Sequence, residues 1–373
     1  MEESLVRLKF QEEGKSLYWA GLPHFNRNFT RDVIIAAILM NDMPMLRSQL
    51  EFSALRQGTK KDSVTAEEPG KIFHEYPGVT IRDYSTEYNA CDTTALFLLG
   101  HEIYRNTSGD LEFAKNHEDH IRRAVEYIEN HLTEFRFVED PKFSGAKHFA
   151  LKVTYWKDSE IYNRATGEPA YPVVYPLAHI QNVRGLQSAF SLLGDAHLGA
   201  IAKKMGEVCM SDMFNEENGN FFIAIDMEGK VSAINSDSLH ALFYLEKDEI
   251  PASFISRIIE ASYALETSAG YMNISFDAAD KINDVYHSRT VWPFEQALIH
   301  SGAKKHLAYI GDTNPKLTED LKHVLSVSSQ VVSHLEQTDT ELFSVGPKGE
   351  IAAIGCNPQL WTLAAKKYFS ALL

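Results

Sequence analysis

The feature that most constrains this chain is a long series of amphipathic helical patterns arranged in pairs, with the joints between them alternately short and long. Apolar residues recur at helical spacing over roughly residues 29–43, 45–57, 89–107, 111–135, 177–193, 195–213, 235–246, 251–264, 290–303, 317–338 and 357–372. Helical hairpins joined in this way fit a ring of inner and outer helices, so the expected fold class is all-α, an (α/α)6 toroid. A helical-repeat solenoid is the competing architecture. Against it, the chain has no fixed repeat period of about 34–47 residues, and its long linkers differ entirely in composition.

Those linkers, at 58–88, 136–176, 265–289 and 339–356, hold many of the Trp, Tyr, Pro and Gly residues. Loops of such length are usually functional or disordered, and aromatic content argues against disorder. One β-hairpin interrupts the helical background. Asn218-Gly219 opens it, Phe221–Asp226 reads as a strand, Met227-Glu228-Gly229 turns and Lys230–Ile234 returns. Without a composition break or low-complexity tract, residues 1–373 read as a single domain.

Charge narrows the partners. A formal net charge of -15 and no basic stripe argue against nucleic acid and anionic membranes, which are bound by neutralising phosphates. The three cysteines, Cys91, Cys209 and Cys356, are far apart and show no CxxC spacing, so neither a disulfide framework nor a zinc site is suggested. No stretch approaches 18 apolar residues and the first residues are acidic, so the reading is a cytoplasmic protein without a secretory leader or membrane span.

Several helix starts carry polar residues that need an explanation. Arg31-Asp32 opens the apolar run Val33–Met40. The pair either caps and pairs structurally or hydrogen-bonds the vicinal hydroxyls of a sugar. Tyr88-Asn89-Ala90-Cys91-Asp92 opens another apolar helix, where Asp92 either stabilises the helix dipole or points into a cavity. Tyr286–Glu295 begins a third in the same manner. Trp292 and Trp361 are core residues or stacking platforms for pyranose rings. Trp156-Lys157-Asp158-Ser159 sets an acid beside an indole in a segment without helical periodicity, and Asp339-Thr340-Glu341 places carboxylates in a long linker. His74-Glu75 and His117-Glu118-Asp119-His120 both lack the spacing of a zinc-binding HExxH helix, so no metal is expected. A ring of hairpins would gather these helix starts at one end. Glycoside hydrolysis needs such a convergence, because one carboxylic acid protonates the leaving oxygen while another carboxylate activates water or attacks the sugar.

The order of these segments resembles the amylo-α-1,6-glucosidase family, the glucosidase part of glycogen debranching enzymes. The resemblance is carried by Gly21-Leu22-Pro23-His24-Phe25, Thr30-Arg31-Asp32, Gln57-Gly58-Thr59, Glu68–Glu75, Tyr88–Asp92, Trp156–Ser159, Tyr286–Pro293, Glu341-Leu342-Phe343 and Pro358–Trp361, from about residue 18 to the C-terminus. It implies an (α/α)6 toroid related to glucoamylases and trehalases, and an inverting, exo-acting, cofactor-free hydrolase of α-glucosides. By the same resemblance, Asp158 is the general acid and Glu341 the general base. Arg31, Asp32, His74, Glu75 and Asp92 line the subsite for the terminal sugar, and Trp156, Trp292 and Trp361 wall it. The two catalytic carboxyls are expected about 6.5–9.5 Å apart, with a raised pKa on the acid. His24 stands where the family carries Trp, Thr340 where it carries Pro, and Glu295 where it carries Asp. The family's frequent amino-terminal β-sandwich has no counterpart here, which points to a small oligosaccharide or glucoside as substrate. Two other readings stay open: a sugar-binding protein that has lost catalysis, and another enzyme of this toroid such as a sugar epimerase, for which His74, His179 and His287 are candidates.

Overall fold

The computed structural model describes residues 1–282, 284–311 and 313–372. Its helices are α1 (Glu2–Leu8), α2 (Thr30–Met40), α3 (Met43–Leu55), α4 (Thr93–Ser108), α5 (Leu111–Asn116), α6 (Glu118–Asn130), α7 (Pro176–Leu193), α8 (Ala196–Val208), α9 (Asp237–Ala241), α10 (Ala252–Ser262), α11 (Phe276–Ala279), α12 (Pro293–Ile310), α13 (Pro315–Ser329), α14 (Val331–Leu335) and α15 (Leu360–Ser370). Each segment predicted from periodicity contains a helix, and the departures have local causes. The 111–135 pattern breaks at His117, which ends α5 and begins α6. The 317–338 pattern breaks likewise at Gln330. The 235–246 pattern yields only the short α9, continued to Leu245 by tight turns.

Neighbouring helices meet in a closed order. Helix α2 packs on α4, α4 on α7, α7 on α9, α9 on α12, α12 on α15, and α15 again on α2. The remaining long helices flank this circuit: α3 lies against α2 and α4, α6 against α4 and α7, α8 against α7, α10 against α9, and α13 against α12. The helices of the circuit are apolar nearly all round because they have protein on both sides. In α2, every residue from Thr30 to Ala37 is buried. One continuous apolar cluster runs through the molecule from Leu8 to Phe369.

One close approach within the circuit depends on a missing side chain. A Cβ on Gly185 of α7 would lie 2.9 Å from the Cα of Ala95 in α4, so these two helices touch backbone to backbone.

Short antiparallel ribbons decorate the helix ends. The predicted hairpin is present in altered form. Asn220–Phe221 pairs with Phe214–Asn215, while Ala224–Asp226 pairs with Gly229–Val231 across Met227-Glu228. The strand read as continuous over 221–226 is thus divided between two partners. An unpredicted ribbon pairs Lys9–Glu12 with Lys15–Tyr18 around Glu13-Gly14, both at positive φ as a type I′ turn requires. More consequential is a three-stranded sheet of Thr290–Val291, Leu342–Val345 and Ile351–Ile354, which takes the first two residues of the helix predicted over 290–303 and two stretches of the linker 339–356. Among the described residues, no helix is long and apolar enough to cross a membrane.

The α4–α7 contact gives a test of the packing. Gly185→Val should lower the urea midpoint by the equivalent of about 1–3 kcal/mol, the usual cost of overpacking. The slope of the transition should stay unchanged if the denatured state is unaffected.

Candidate active site

The helices of the circuit begin at one place. Arg31 and Asp32 occupy the first turn of α2, Asp92 is the residue before α4, Asp237 opens α9, Trp292 precedes α12, and Gln359 and Trp361 flank the start of α15. A small cavity lies among them. Its wall includes Arg31, Asp32, His74, Trp156, Asp158, Trp292, Glu341 and Trp361 of the predicted residues, together with Phe25, Phe29, Tyr286, His287 and Gln359.

Two predicted residues stand behind that wall. Asp92 is fully buried and takes Arg31 in a bidentate grip, Nε and Nη2 each 2.9 Å from a carboxylate oxygen. Glu75 accepts from Arg27 Nε at 2.5 Å and from the Thr86 hydroxyl. It also belongs to the short ribbon pairing Phe29 with Glu75, while the Thr30 amide donates to the His74 carbonyl at 2.9 Å. Glu75 therefore fixes the chain that presents His74.

Asp158 is carried on a strip whose side chains alternate. Trp156 and Asp158 face the cavity just described, whereas Tyr155, Lys157 and Ser159 face a second, smaller cavity on the other side. The chain bends at Tyr155, Trp156, Lys157 and Ser159 and forms no strand there. The strip is anchored through Asp237, which accepts from the Trp156 indole at 3.0 Å, from Tyr155 at 3.1 Å and from Lys157 at 2.9 Å. The indole also meets Trp292 and Phe294 edge to face. This dry surround has a direct electrostatic effect. Burial pushes the Asp158 carboxyl up to about 7, against the pull of Arg31. Asp32 is also raised well above the usual carboxylate range, by burial first, with Arg31 opposing and Glu341 and Asp158 adding repulsion.

Glu341 reaches the cavity from the three-stranded sheet. Its backbone amide donates to the Cys356 carbonyl at 2.9 Å, and the Cys356 amide returns a bond to the carboxylate at 2.9 Å. Tyr286 and Gln359 donate to the other oxygen, Gln359 at 3.3 Å. Burial nevertheless raises its pKa, with these bonds acting in the opposite sense. Gly355 sits beside it at positive φ, where a Cβ would lie 2.5 Å from the carboxylate, so only glycine fits that turn.

Polar groups on the wall are left open. Neither ring nitrogen of His74 and no acceptor for the Trp361 indole N–H is paired within the protein, although both residues are buried. Buried polar groups without partners are costly, and ligand hydroxyls would relieve that cost. His74 is held neutral by burial and by Arg31. His287 is likewise neutral, mainly through burial. It lies flat on Trp292 at 5.1 Å and meets the Ser159 hydroxyl at 2.6 Å. His179 is elsewhere, bonded to the Phe137 amide and the Met205 carbonyl.

Two buried sets of potential metal ligands occur among the described residues, Glu68-His131-Glu139 and Asp237-His240-Glu295. In each, a lysine supplies the positive charge: Lys71 lies 3.6 Å from Glu68 and Lys157 2.9 Å from Asp237. Glu295 lies in the second set, bonded by Ser236 at 2.7 Å, and not on the cavity wall.

Tyr286, Gln359, Phe25 and Phe29 are wall residues that the sequence does not single out as site residues, and His287 is expected there only for an epimerase. Tyr286-His287 lay within a segment already singled out, and Gln359 directly precedes a predicted helix, so a polar residue at a helix start was the available signal.

Breaking the buried ion pair tests this geometry. Asp92→Asn should cost about 3–5 kcal/mol in chemical unfolding, since it leaves Arg31 buried without its partner. It should also lower the Asp158 pKa measured by carboxyl carbon NMR, because Asp92 repels that carboxylate and engages Arg31.

No protein-family model matches this sequence, and no curated protein sequence matches it. Solved structures do. The GH63 mannosylglycerate hydrolase from Thermus thermophilus, in complex with glucose, aligns with a TM-score of 0.69 at 11% identity, covering 99% of this chain and 98% of that one. The GH78 family rhamnosidase of Bacillus sp. GL1 aligns with a TM-score of 0.62 at 10% identity, covering 95% of this chain and 32% of the rhamnosidase. A sugar epimerase from a ruminal bacterium aligns with a TM-score of 0.59 at 12% identity, covering 100% and 96%. At these identities the likeness establishes the fold, one that these glycosidases and this epimerase share.

Proposed function

We propose that this chain is an inverting, exo-acting glycoside hydrolase on a single (α/α)6 barrel, cleaving small α-glucosides, with Asp158 as general acid and Glu341 as general base. One observation carries the reading: two carboxyl groups reach the same small aromatic cavity from different elements, and Asp158 has its pKa raised to about 7. The resemblance to the amylo-α-1,6-glucosidase family and the fold shared with glycosidases support it. The cavity favours one terminal sugar over a long chain, and the open donors and acceptors of His74 and Trp361 suit its hydroxyls. Arg31 and Asp32 bind the same ring, while Asp92 and Glu75 act as positioning residues behind them.

In this mechanism protonated Asp158 gives its proton to the glycosidic oxygen as the bond to the anomeric carbon breaks. Water, deprotonated by Glu341, attacks that carbon from the opposite face, and the released sugar has inverted configuration. Tyr286, Gln359 and the Cys356 amide orient the base.

A second reading has its own observation. His74 and His287 are neutral and line the same cavity, as proton transfer at a sugar carbon in an epimerase would require. Epimerised sugar without hydrolysis would decide for it.

Asp158→Asn and Glu341→Gln should each reduce hydrolysis of α-glucosides by about 10²–10⁴-fold, with circular dichroism unchanged. Proton NMR of the wild-type reaction should show the β-anomer first, and an initial α-anomer would refute inversion.

The pH profile gives a further check. The acid must carry its proton, so kcat/KM should fall as pH rises through about 7, and on the acid side as Glu341 becomes protonated. Because the folded-state pKa of Asp158 is raised, its contribution to stability is fully present below the ordinary carboxylate range and lost as pH rises through about 7. Asp158→Asn should therefore raise Tm relative to wild type above that pH, as scanning calorimetry would show.

A further inference from the structure

Residues 155–159 carry the acid without the usual means of holding a chain still. Among the described residues, this stretch belongs to no helix or strand and makes no backbone-to-backbone hydrogen bond. Its side chains hold it instead. Three successive ones, Tyr155, Trp156 and Lys157, all donate to Asp237. A general acid has to meet the glycosidic oxygen at hydrogen-bond distance, so whatever fixes this stretch fixes the reaction geometry.

A second acid that the mechanism does not use lies behind Asp237. Glu295 is fully buried and accepts from the Ser236 hydroxyl at 2.7 Å. Its other oxygen takes the Asn273 amide at 2.9 Å, in the orientation that satisfies both ends of that amide. Asn273 then accepts from the Trp292 indole at 3.1 Å, which also reaches the Tyr286 carbonyl at 3.2 Å. The indoles of Trp156 and Trp292, both on the cavity wall, are therefore tied to these two acids, one directly and one through Asn273.

Lys157 joins the two acids. Its ammonium has three donors, and they go to Asp237 at 2.9 Å, to the Ser236 hydroxyl at 3.0 Å and to the Asn273 carbonyl at 3.2 Å. Ser236 accepts from the lysine and donates to Glu295, so its hydroxyl has one direction. Buried carboxylates persist when they are paired and hydrogen-bonded, and this one ammonium serves Asp237 directly and Glu295 across a single hydroxyl. Asp158 is the next residue in the chain.

We propose, on the hydrolase reading above, that Asp237, Lys157 and Glu295 form a positioning unit that aims the proton of Asp158. None of the three lines the cavity that holds the two catalytic carboxyls. They act through the strip, and their loss removes protonation of the leaving group ahead of sugar binding or attack by water.

The test compares α-glucosyl fluoride, whose leaving group departs with little help from an acid, with methyl α-glucoside, which needs a proton on its leaving oxygen. Asp237→Asn and Lys157→Met should each lower the ratio of methyl glucoside to fluoride kcat/KM by at least about 10-fold, and Glu295→Gln by several-fold. Gly185→Val, which disturbs packing elsewhere, should leave that ratio where it is. Asp237→Asn leaves a buried lysine without its anion; should it fail to fold, Asp237→Asn with Lys157→Met removes both charges and carries the same expectation. The Asp158 pKa in Asp237→Asn, read by carboxyl carbon NMR, should fall, because the loosened strip admits water to a carboxyl that burial holds up. A ratio equal to wild type in the folded variants, whether both substrates slow together or neither does, overturns the proposal. If the wild type hydrolyses neither substrate, the hydrolase reading falls, and an unmoved Asp158 pKa in Asp237→Asn then separately overturns the control of Asp158 by this unit.

Discussion

The site depends on the buried contact between Arg31 and Asp92. It ties the first turn of α2 to the start of α4 with two parallel hydrogen bonds, and both side chains are almost wholly removed from water. Such a pair is not a large net source of stability, because desolvation of both ions offsets most of their attraction. Its value is geometric and electrostatic. With Asp92 holding it, the guanidinium is a fixed positive charge beside Asp32 and Asp158, and it lowers these two carboxyls while burial raises them. Moving it would change the protonation of both.

The same end of the molecule gathers the N-terminal ends of the helix circuit. Backbone N–H groups at a helix start are partly unpaired and carry partial positive charge. An acid-rich cavity built there meets a favourable field, which helps to explain how several carboxyls can occupy so small and apolar a space. The aromatic residues act in the opposite direction. Trp156, Trp292, Phe294 and Trp361 exclude water and interlock, Phe294 stacking on Trp361 at 3.9 Å. Their burial sets the raised pKa of Asp158, and the hydrogen bond from the Trp156 indole to Asp237 keeps that wall from turning away.

Much of this was legible in the sequence, because helix periodicity is local and the residues at helix starts are adjacent to the patterns that mark them. Arg31, Asp32, Trp292 and Trp361 are of this kind. What stayed hidden is non-local. The sheet pairs Thr290–Val291 with Leu342–Val345, some fifty residues away, and Leu342–Val345 with the nearby Ile351–Ile354, and short strands of that sort have no period long enough to read. Glu341 owes its place to that sheet, so its approach to Tyr286 could not be foreseen from the linker it occupies. Asp92 shows a different limit. A carboxylate at a helix start can face a cavity or hold the residue that does, and only the position of Arg31 distinguishes the two.

The strip at 155–159 joins these arguments. In a helix, Trp156 and Asp158 would face directions about 200° apart, and the acid would lose the indole that desolvates it. As a strip with alternating side chains it presents both to one cavity, and Lys157 to Asp237 on the other side. That ion pair holds the strip in register through the buried charges behind it. A one-residue slip would bring Lys157 to the wall beside Arg31 and remove the acid from it. The lysine on the far face is therefore part of what keeps a carboxyl, and not an ammonium, at the position where a proton is to be given.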